Sequence, residues 1–206
     1  MQQLWLIKLH WNDHLPPHLQ DQWKNFESDL KDLPLIKIPR YLGLNQSSSV
    51  EIHGFSDAST IAMSAVVYLR VNNLNGINVS FVISKTKVAP LKTMTIPRLE
   101  LTAAVLLVKL VKHTRKILDL ESAPAWLWTD SSVSLTWITN HPSKWKDFVR
   151  NRVNFIQEAE PLARWRYVAG NENPADCASR GVSPKVLSNH KLWWTGPEWL
   201  SKDVSD

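Results

Sequence analysis

A chain of 206 residues that is 44% hydrophobic and 21% charged can bury one sizeable core and carry extensions, the balance of an ordinary globular protein. One cysteine, Cys177, excludes an internal disulfide and a cysteine-based zinc cluster and reads as intracellular. The longest apolar run, residues 103–108, falls far short of the ~18–20 residues that span a bilayer, and residues 1–10 lack a signal peptide's pattern, so no membrane or export role is expected. The formal charge of +5 is compatible with a polyanionic partner.

Pro16-Pro17 precedes a stretch in which Leu19, Trp23, Phe26, Leu30 and Leu33 follow helical spacing up to Pro34, which predicts an amphipathic helix. Pro39, Gly43 and the polar run 45–49 mark a linker and the main domain boundary. Strands are expected over residues 50–56, 62–70 and 77–84, the last pair joined by a turn rich in Asn72, Asn73, Asn75 and Gly76. Thr95 and Pro97 open a long helix to about residue 116, whose buried face is Leu99, Ala103, Leu106, Leu107, Leu110 and Val111. A short strand, 125–129, ends at Asp130; a helix from 131 to 139 breaks at His141-Pro142, and another follows with Trp145, Phe148, Val149, Val153 and Ile156 on one face. Residues 164–168 read as the last strand. Asn173 then caps, and Pro174 starts, a short helix that Gly181 stops after Arg180. The order is that of a mixed five-stranded sheet flanked by helices, an α/β architecture.

Eleven tryptophans fall in three groups: Trp5, Trp11 and Trp23; Trp126, Trp128, Trp137, Trp145 and Trp165; and Trp193, Trp194 and Trp199. They read as core or docking residues, and none is assigned to nucleic acid.

Four acids stand in distinct settings: Asp57 in Phe55-Ser56-Asp57-Ala58-Ser59, Glu100 in Pro97-Arg98-Leu99-Glu100-Leu101, Asp130 in Trp128-Thr129-Asp130-Ser131-Ser132, and Asp176 in Asn173-Pro174-Ala175-Asp176. Each has an ordinary structural reading. Asp176 and Glu100 fall in first helical turns, where the dipole favours an acid, and Asp57 and Asp130 sit at strand ends followed by turn residues. Spacing alone does not bring four acids from four elements together. Jointly, in this order, they suit a two-metal nuclease.

The Ser-Asp-Ala-Ser string, the Glu early in the long helix, Thr-Asp-Ser-Ser and Asn-Pro-Ala-Asp together resemble retroelement ribonuclease H over residues 50–181. Within that group, residues 84–91 (Ser-Lys-Thr-Lys-Val-Ala-Pro-Leu), 95–101 and 173–181 resemble the BEL/Pao class of long-terminal-repeat retrotransposons. Residues 4–40 look like the connection between reverse transcriptase and ribonuclease H in that polyprotein, and Trp193 to Leu200 like the stretch leading toward integrase. The resemblance therefore implies a polyprotein fragment with three parts: a connection segment and linker over 1–49, a ribonuclease H-like domain over 50–181, and a Trp-rich extension over 182–206.

What the resemblance implies for chemistry is a pair of Mg²⁺ ions, with Mn²⁺ as substitute, held by Asp57, Glu100, Asp130 and Asp176 as metal ligands and catalytic residues. In that family Asp57 would bridge both ions, Glu100 and Asp130 would hold the ion near the leaving group, and Asp176 would complete the one that activates water. The substrate would be the RNA strand of an RNA–DNA hybrid during reverse transcription. Lys85, Lys87, Arg98, Lys144, Lys146, Arg150, Arg152 and Arg180 are the candidates for phosphate contact. Partners would be the reverse transcriptase and integrase portions, in a cytoplasmic particle and the nucleus. One departure stands out: many ribonucleases H carry a histidine in the loop before the last acid, and residues 167–172 contain none, which implies a modest hydrolase; His141 reads as a turn residue. A catalytically inert or domesticated binding domain is the alternative, since the polymerase catalytic region is missing from this fragment. An integrase-like nuclease ranks last, because a helical Glu ~35 residues after the second Asp is expected and position 165 is Trp.

Overall fold

A computed structural model describes residue 4 and residues 6–45, 48–74 and 76–202. Trp5 of the first tryptophan group, positions 46 and 47 of the linker and the turn residue Asn75 lie outside the described residues.

Five strands form one sheet. β1 (Ser49–Ala58), β2 (Ala62–Asn73) and β3 (Gly76–Val88) make an antiparallel meander, and β4 (Ala125–Thr129) and β5 (Arg164–Tyr167) add in parallel on the other side of β1, giving the order β3-β2-β1-β4-β5. β1, β2 and β3 run longer than their apolar patterns suggested, because cross-strand pairing continues into polar residues such as Asp57, which pairs with Ser64, and Lys87, which pairs with Met63; β4 has the expected bounds and β5 stops at Tyr167, one residue short.

Ahead of the sheet lie helix α1 (Pro17–Asp29) and a 3₁₀ turn, Leu30–Leu35. The predicted stripe is present, but only Leu19 is buried; Trp23 and Phe26 pack on each other, centroids 5.7 Å apart, and remain exposed. Helix α2 (Ile96–Leu118) lies across β1 and β2, with α4 (Asp147–Ala159) beside it. Between them, α3 (Ser132–Thr139) leads into a 3₁₀ turn, Pro142–Lys144, where the His141 ring accepts from the Ser143 amide.

The pleat divides the core in two. Ile52, Ala65, Val67, Leu69, Val71 and Leu127 face α2, meeting Leu101, Ala104, Leu107, Val108 and Val111 in an aliphatic layer. Gly54 is the point of closest approach in that layer: a Cβ there would lie 2.6 Å from Leu107 Cδ1 and 3.0 Å from Leu127 Cδ2. The opposite face carries Phe55, Val66 and Tyr68, and its cover is aromatic. Short helices α5 (Ala175–Arg180), α6 (Pro184–Ser188) and α7 (Lys191–Thr195) and the 3₁₀ turn Glu198–Ser201 bring Trp193, Trp194, Trp199 and Leu200 onto it. Trp199 packs on Trp128 at 4.6 Å and Trp193 on Phe81 at 5.5 Å.

A polar clamp secures this cover. Buried Arg70 on β2 donates to the carbonyls of Leu200 (3.1 Å) and Lys202 (3.0 Å) and to the Glu51 carboxylate (3.0 Å). His53 accepts from Trp128 Nε1 at one nitrogen and meets Glu51 with the other. Residues 184–202 are therefore packed on the sheet as part of the same core.

Candidate active site

Four elements converge at the C-terminal ends of β1 and β4. Parallel pairing puts Ser56 beside Thr129, so Asp57, next to last in β1, and Asp130, just past the end of β4, come side by side. Glu100 reaches them from α2. It is the fifth residue of that helix, since Thr95 is the N-cap and Ile96 the first helical position, so the expected place in the first turn is corrected. At 6% exposure and past the turn where the dipole acts, Glu100 is not a surface acid placed to suit a helix start.

One carboxylate oxygen each from Asp57, Glu100 and Asp130 lies within 4.8 Å of the others. They line an open cleft of about 480 Å³ with Ser131, Pro97 and Arg180. Glu100 Oε2 and Asp130 Oδ1 are buried and have no hydrogen-bond partner among the described residues, an arrangement that costs several kcal/mol for charged oxygens unless a cation completes it. Burial, reinforced by the neighbouring Asp57 charge, pushes Glu100 up to about 9 and Asp130 up to about 6, and burial raises Asp57 as well. Three carboxylates that repel one another, two with orphaned oxygens, match the hard oxygen donor set of a divalent cation.

Asp176 stands nearby without joining this trio. Its charge adds to the rise at Asp57, Glu100 and Asp130, but its Oδ1 accepts from Arg180 Nε at 2.5 Å. Its helix begins at Ala175, not Pro174, so Pro174 and not the expected Asn173 takes the N-cap position; Asn173, one residue earlier, accepts from the Ala175 amide at 3.1 Å.

Supporting groups went unassigned in the sequence reading. Ser179 donates to Asp57 Oδ2, and Asn173 Nδ2 donates to the Ser56 carbonyl at 3.0 Å, tying α5 to the end of β1. The signal for Ser179 was its spacing: three residues beyond Asp176, it projects from the same helical side. Gly170 leaves room for Asp130, since a Cβ would come 3.3 Å from Oδ2.

The eight basic candidates are dispersed. Arg180 alone among them lines the acidic cleft. Lys85 and Lys87 are exposed at the end of β3, and Lys146 is exposed at the cap of α4. Lys144 donates to Asn140, and Arg150 pairs with Asp147. Arg98 and Arg152 stack on the same Phe148 ring.

Against known sequences, the family described as "Pao retrotransposon-like RNaseH-like domain" matches residues 1–131. The chain belongs to this family. The Pao-type domain has no significant match among curated proteins. Of solved structures, LC11-RNase H1 in complex with an RNA/DNA hybrid is 12% identical, with 68% of this chain and 100% of that chain covered at a TM-score of 0.46. A second structure of the same enzyme, isolated from compost by a metagenomic approach, is 13% identical, covering 68% and 99% at 0.43. RNase H1 from the halophilic archaeon Halobacterium salinarum is 14% identical, covering 62% and 90% at 0.38. Family membership and the acidic cluster support a ribonuclease H-like, metal-using nuclease in a Pao/BEL-type retrotransposon context. Among the described residues no helix is long and apolar enough to cross a membrane.

Proposed function

We propose that this domain hydrolyses the RNA strand of RNA–DNA hybrids during reverse transcription, using two Mg²⁺ ions or Mn²⁺ in their place. The observation that carries the reading is the convergence of Asp57, Glu100 and Asp130 with unpartnered buried oxygens in a Pao-type domain.

Asp57, Glu100 and Asp130 would hold the metal, with Asp176 as fourth ligand once its carboxylate turns from Arg180. Bound ions would supply an activated water and relieve charge on the leaving oxygen. The chain's own groups do the rest. Ser179 fixes the Asp57 carboxylate by donating to it, and Asn173 holds the β1 end against α5, so Asp57 is positioned before substrate arrives. Arg180, released from Asp176, is placed on the cleft wall to meet a phosphate. In the reaction a water oxygen bonds to phosphorus as the bond to the 3′ oxygen breaks; one water proton ends on that oxygen. The RNA is left with a 3′-hydroxyl and a 5′-phosphate. Recognition of RNA would rest on its 2′-hydroxyls, and phosphate contacts on Lys85, Lys87, Arg98, Lys144, Lys146, Arg150 and Arg152. Reverse transcriptase and integrase portions of the same polyprotein would be its neighbours in a cytoplasmic particle and the nucleus.

The pairing of Asp176 with Arg180 favours one second reading, a domain that binds hybrids without cutting them. Cleavage of a labelled RNA strand in a hybrid, with Mg²⁺ or Mn²⁺ and with double-stranded RNA as control, separates the two. Hybrid-specific cutting lost in Asp130→Asn supports the nuclease. A folded wild-type chain that binds hybrid and never cuts it supports the binder.

A further inference from the structure

Helix α1 carries an apolar stripe that the fold leaves uncovered. Trp23 is 57% and Phe26 51% exposed, and Leu30 and Leu33, also exposed, carry the stripe into the 3₁₀ turn that follows. The two rings pack on each other, centroids 5.7 Å apart, so they present one continuous surface. An aromatic side chain offers ~150–250 Å². With about half of each ring open and the two leucines added, the stripe amounts to on the order of 400 Å², the scale at which an apolar patch marks an interaction site. The polar face narrows the choice of partner. Over Pro17–Asp29 it sets Asp21, Glu27 and Asp29 against Lys24, an acidic balance that repels phosphate, whether of a nucleic acid or of an anionic lipid surface. Lys24 and Glu27 are exposed, and among the described residues neither is in an ion pair.

We propose that the stripe is an interface between two copies of this chain, with α1 lying antiparallel to α1 of the second copy about a two-fold axis. The inference is independent of the nuclease reading. It places the axis level with the midpoint between Asn25 and Phe26. At ~1.5 Å rise per residue, Phe26 then lies about 0.75 Å to one side of the axis and Trp23 about 3.75 Å to the other. Along the seam the order becomes Trp23, Phe26 of the second copy, Phe26, and Trp23 of the second copy, so the rings interleave and none meets its own counterpart at the same level. The same register matches the flanks. At ~100° per residue, Lys24 and Glu27 share one flank of the stripe, and Gln22 and Asp29 the other. In an antiparallel two-fold pair each flank meets itself, so a contact made once is made twice. Lys24 and Glu27 stand about 2.25 Å on opposite sides of the axis, which brings Lys24 of each copy level with Glu27 of the other. Gln22 comes level with Asp29 of the second copy in the same way, an amide that can donate to a carboxylate. Apolar interleaving and charge complementarity therefore select one register. The two stripes with their flanks reach about the ~1,200 Å² of the smallest specific interfaces, which suits a reversible dimer with a Kd on the order of 10 μM.

The test is sedimentation equilibrium of the full chain, free of nucleic acid, over a range of protein concentration. The unsubstituted chain should pass from monomer to dimer. Trp23→Gln plus Phe26→Gln should stay monomeric over that range with an unchanged melting temperature, since both side chains are exposed and lie outside the sheet's core. Lys24→Glu alone sets like charges at both contacts, as does Glu27→Lys alone, and each should weaken association by roughly 10-fold. An equimolar mixture of those two variants makes both contacts attractive again and should recover the unsubstituted affinity. A chain that stays monomeric at every concentration overturns the interface, as does a dimer that survives loss of both rings. Failure of the mixture to recover overturns the antiparallel register. Trp23-dependent binding to phosphatidylserine vesicles by a chain that remains monomeric would assign the stripe to lipid and also overturn the proposal.

Discussion

Glu51 and Glu100 are glutamates attached to the same sheet, and the fold treats them in opposite ways. Glu51, at the start of β1, meets the His53 ring and the Arg70 guanidinium, and its carboxyl is held at about 2 although burial works against it. Burial also pushes His53 below its ordinary range, so the ring serves as a neutral donor and Arg70 supplies the charge. Glu100, at the far end of the sheet, makes no ion pair among the described residues and is driven up to about 9 by burial. The protein completes one carboxylate with its own arginine and leaves the other incomplete. A buried acid with a resident partner is structural, whereas one kept at this cost without a partner is a ligand waiting for a cation.

The sharpest way to break the contrast is to remove charge at the incomplete end. Asp130→Asn should lower hybrid cleavage by on the order of 10³-fold and raise the metal-free melting temperature, because it removes repulsion among Asp57, Glu100 and Asp130; a rate assay and calorimetry in chelator check both. At the complete end, Arg70→Ala should destabilise by about 2–4 kcal/mol, since it strands Glu51 and two carbonyls of the C-terminal segment. Urea unfolding should show that loss, with cleavage per folded molecule unaltered.

Acid and alkali should separate the same two ends more gently. The raised Glu100 and Asp130 favour the fold fully below the ordinary carboxylate range, and that contribution is lost as pH climbs through about 6 and on toward about 9. The depressed Glu51 contributes above its ordinary value of 4.5 and is lost as pH falls toward about 2. Metal-free protein should therefore melt at a lower temperature at pH 9 than at pH 5, and Mg²⁺ should raise the melting temperature more at pH 9. An equal Mg²⁺ effect at both values would remove the acids as its site. The smallest effect is expected at His141, whose ring holds a turn: His141→Ala should leave the pH profile of cleavage unchanged and alter stability by no more than about 0.5 kcal/mol.

Much of this was readable in the chain, for a physical reason. Asp57, Glu100 and Asp130 sit at strand ends or on a helix whose apolar periodicity is plain, and strand order follows once the alternation is recognised. Periodicity reports which face of an element is apolar, but not what covers it. Hence the stripe on α1 was legible while the exposure of Trp23 and Phe26 was not, and the C-terminal tryptophans gave no sign that they lie on Phe55, Phe81 and Trp128. The Arg70 clamp joins residues 130 positions apart through backbone carbonyls, which carry no sequence signature. Glu100 was placed in the wrong turn because Pro97 was read as the helix start, whereas the helix already begins at Ile96.

Gly54 gives the fold a gauge. Leu107, which fills the space its missing Cβ leaves, lies seven residues beyond Glu100 and therefore on the same side of α2. The absent methyl lets the Leu107 side chain of the helix that carries Glu100 close directly onto the β1 backbone. An alanine at 54 would act as a wedge, displacing first the Leu107 and Leu127 side chains in the layer behind the acids while touching none of the acids.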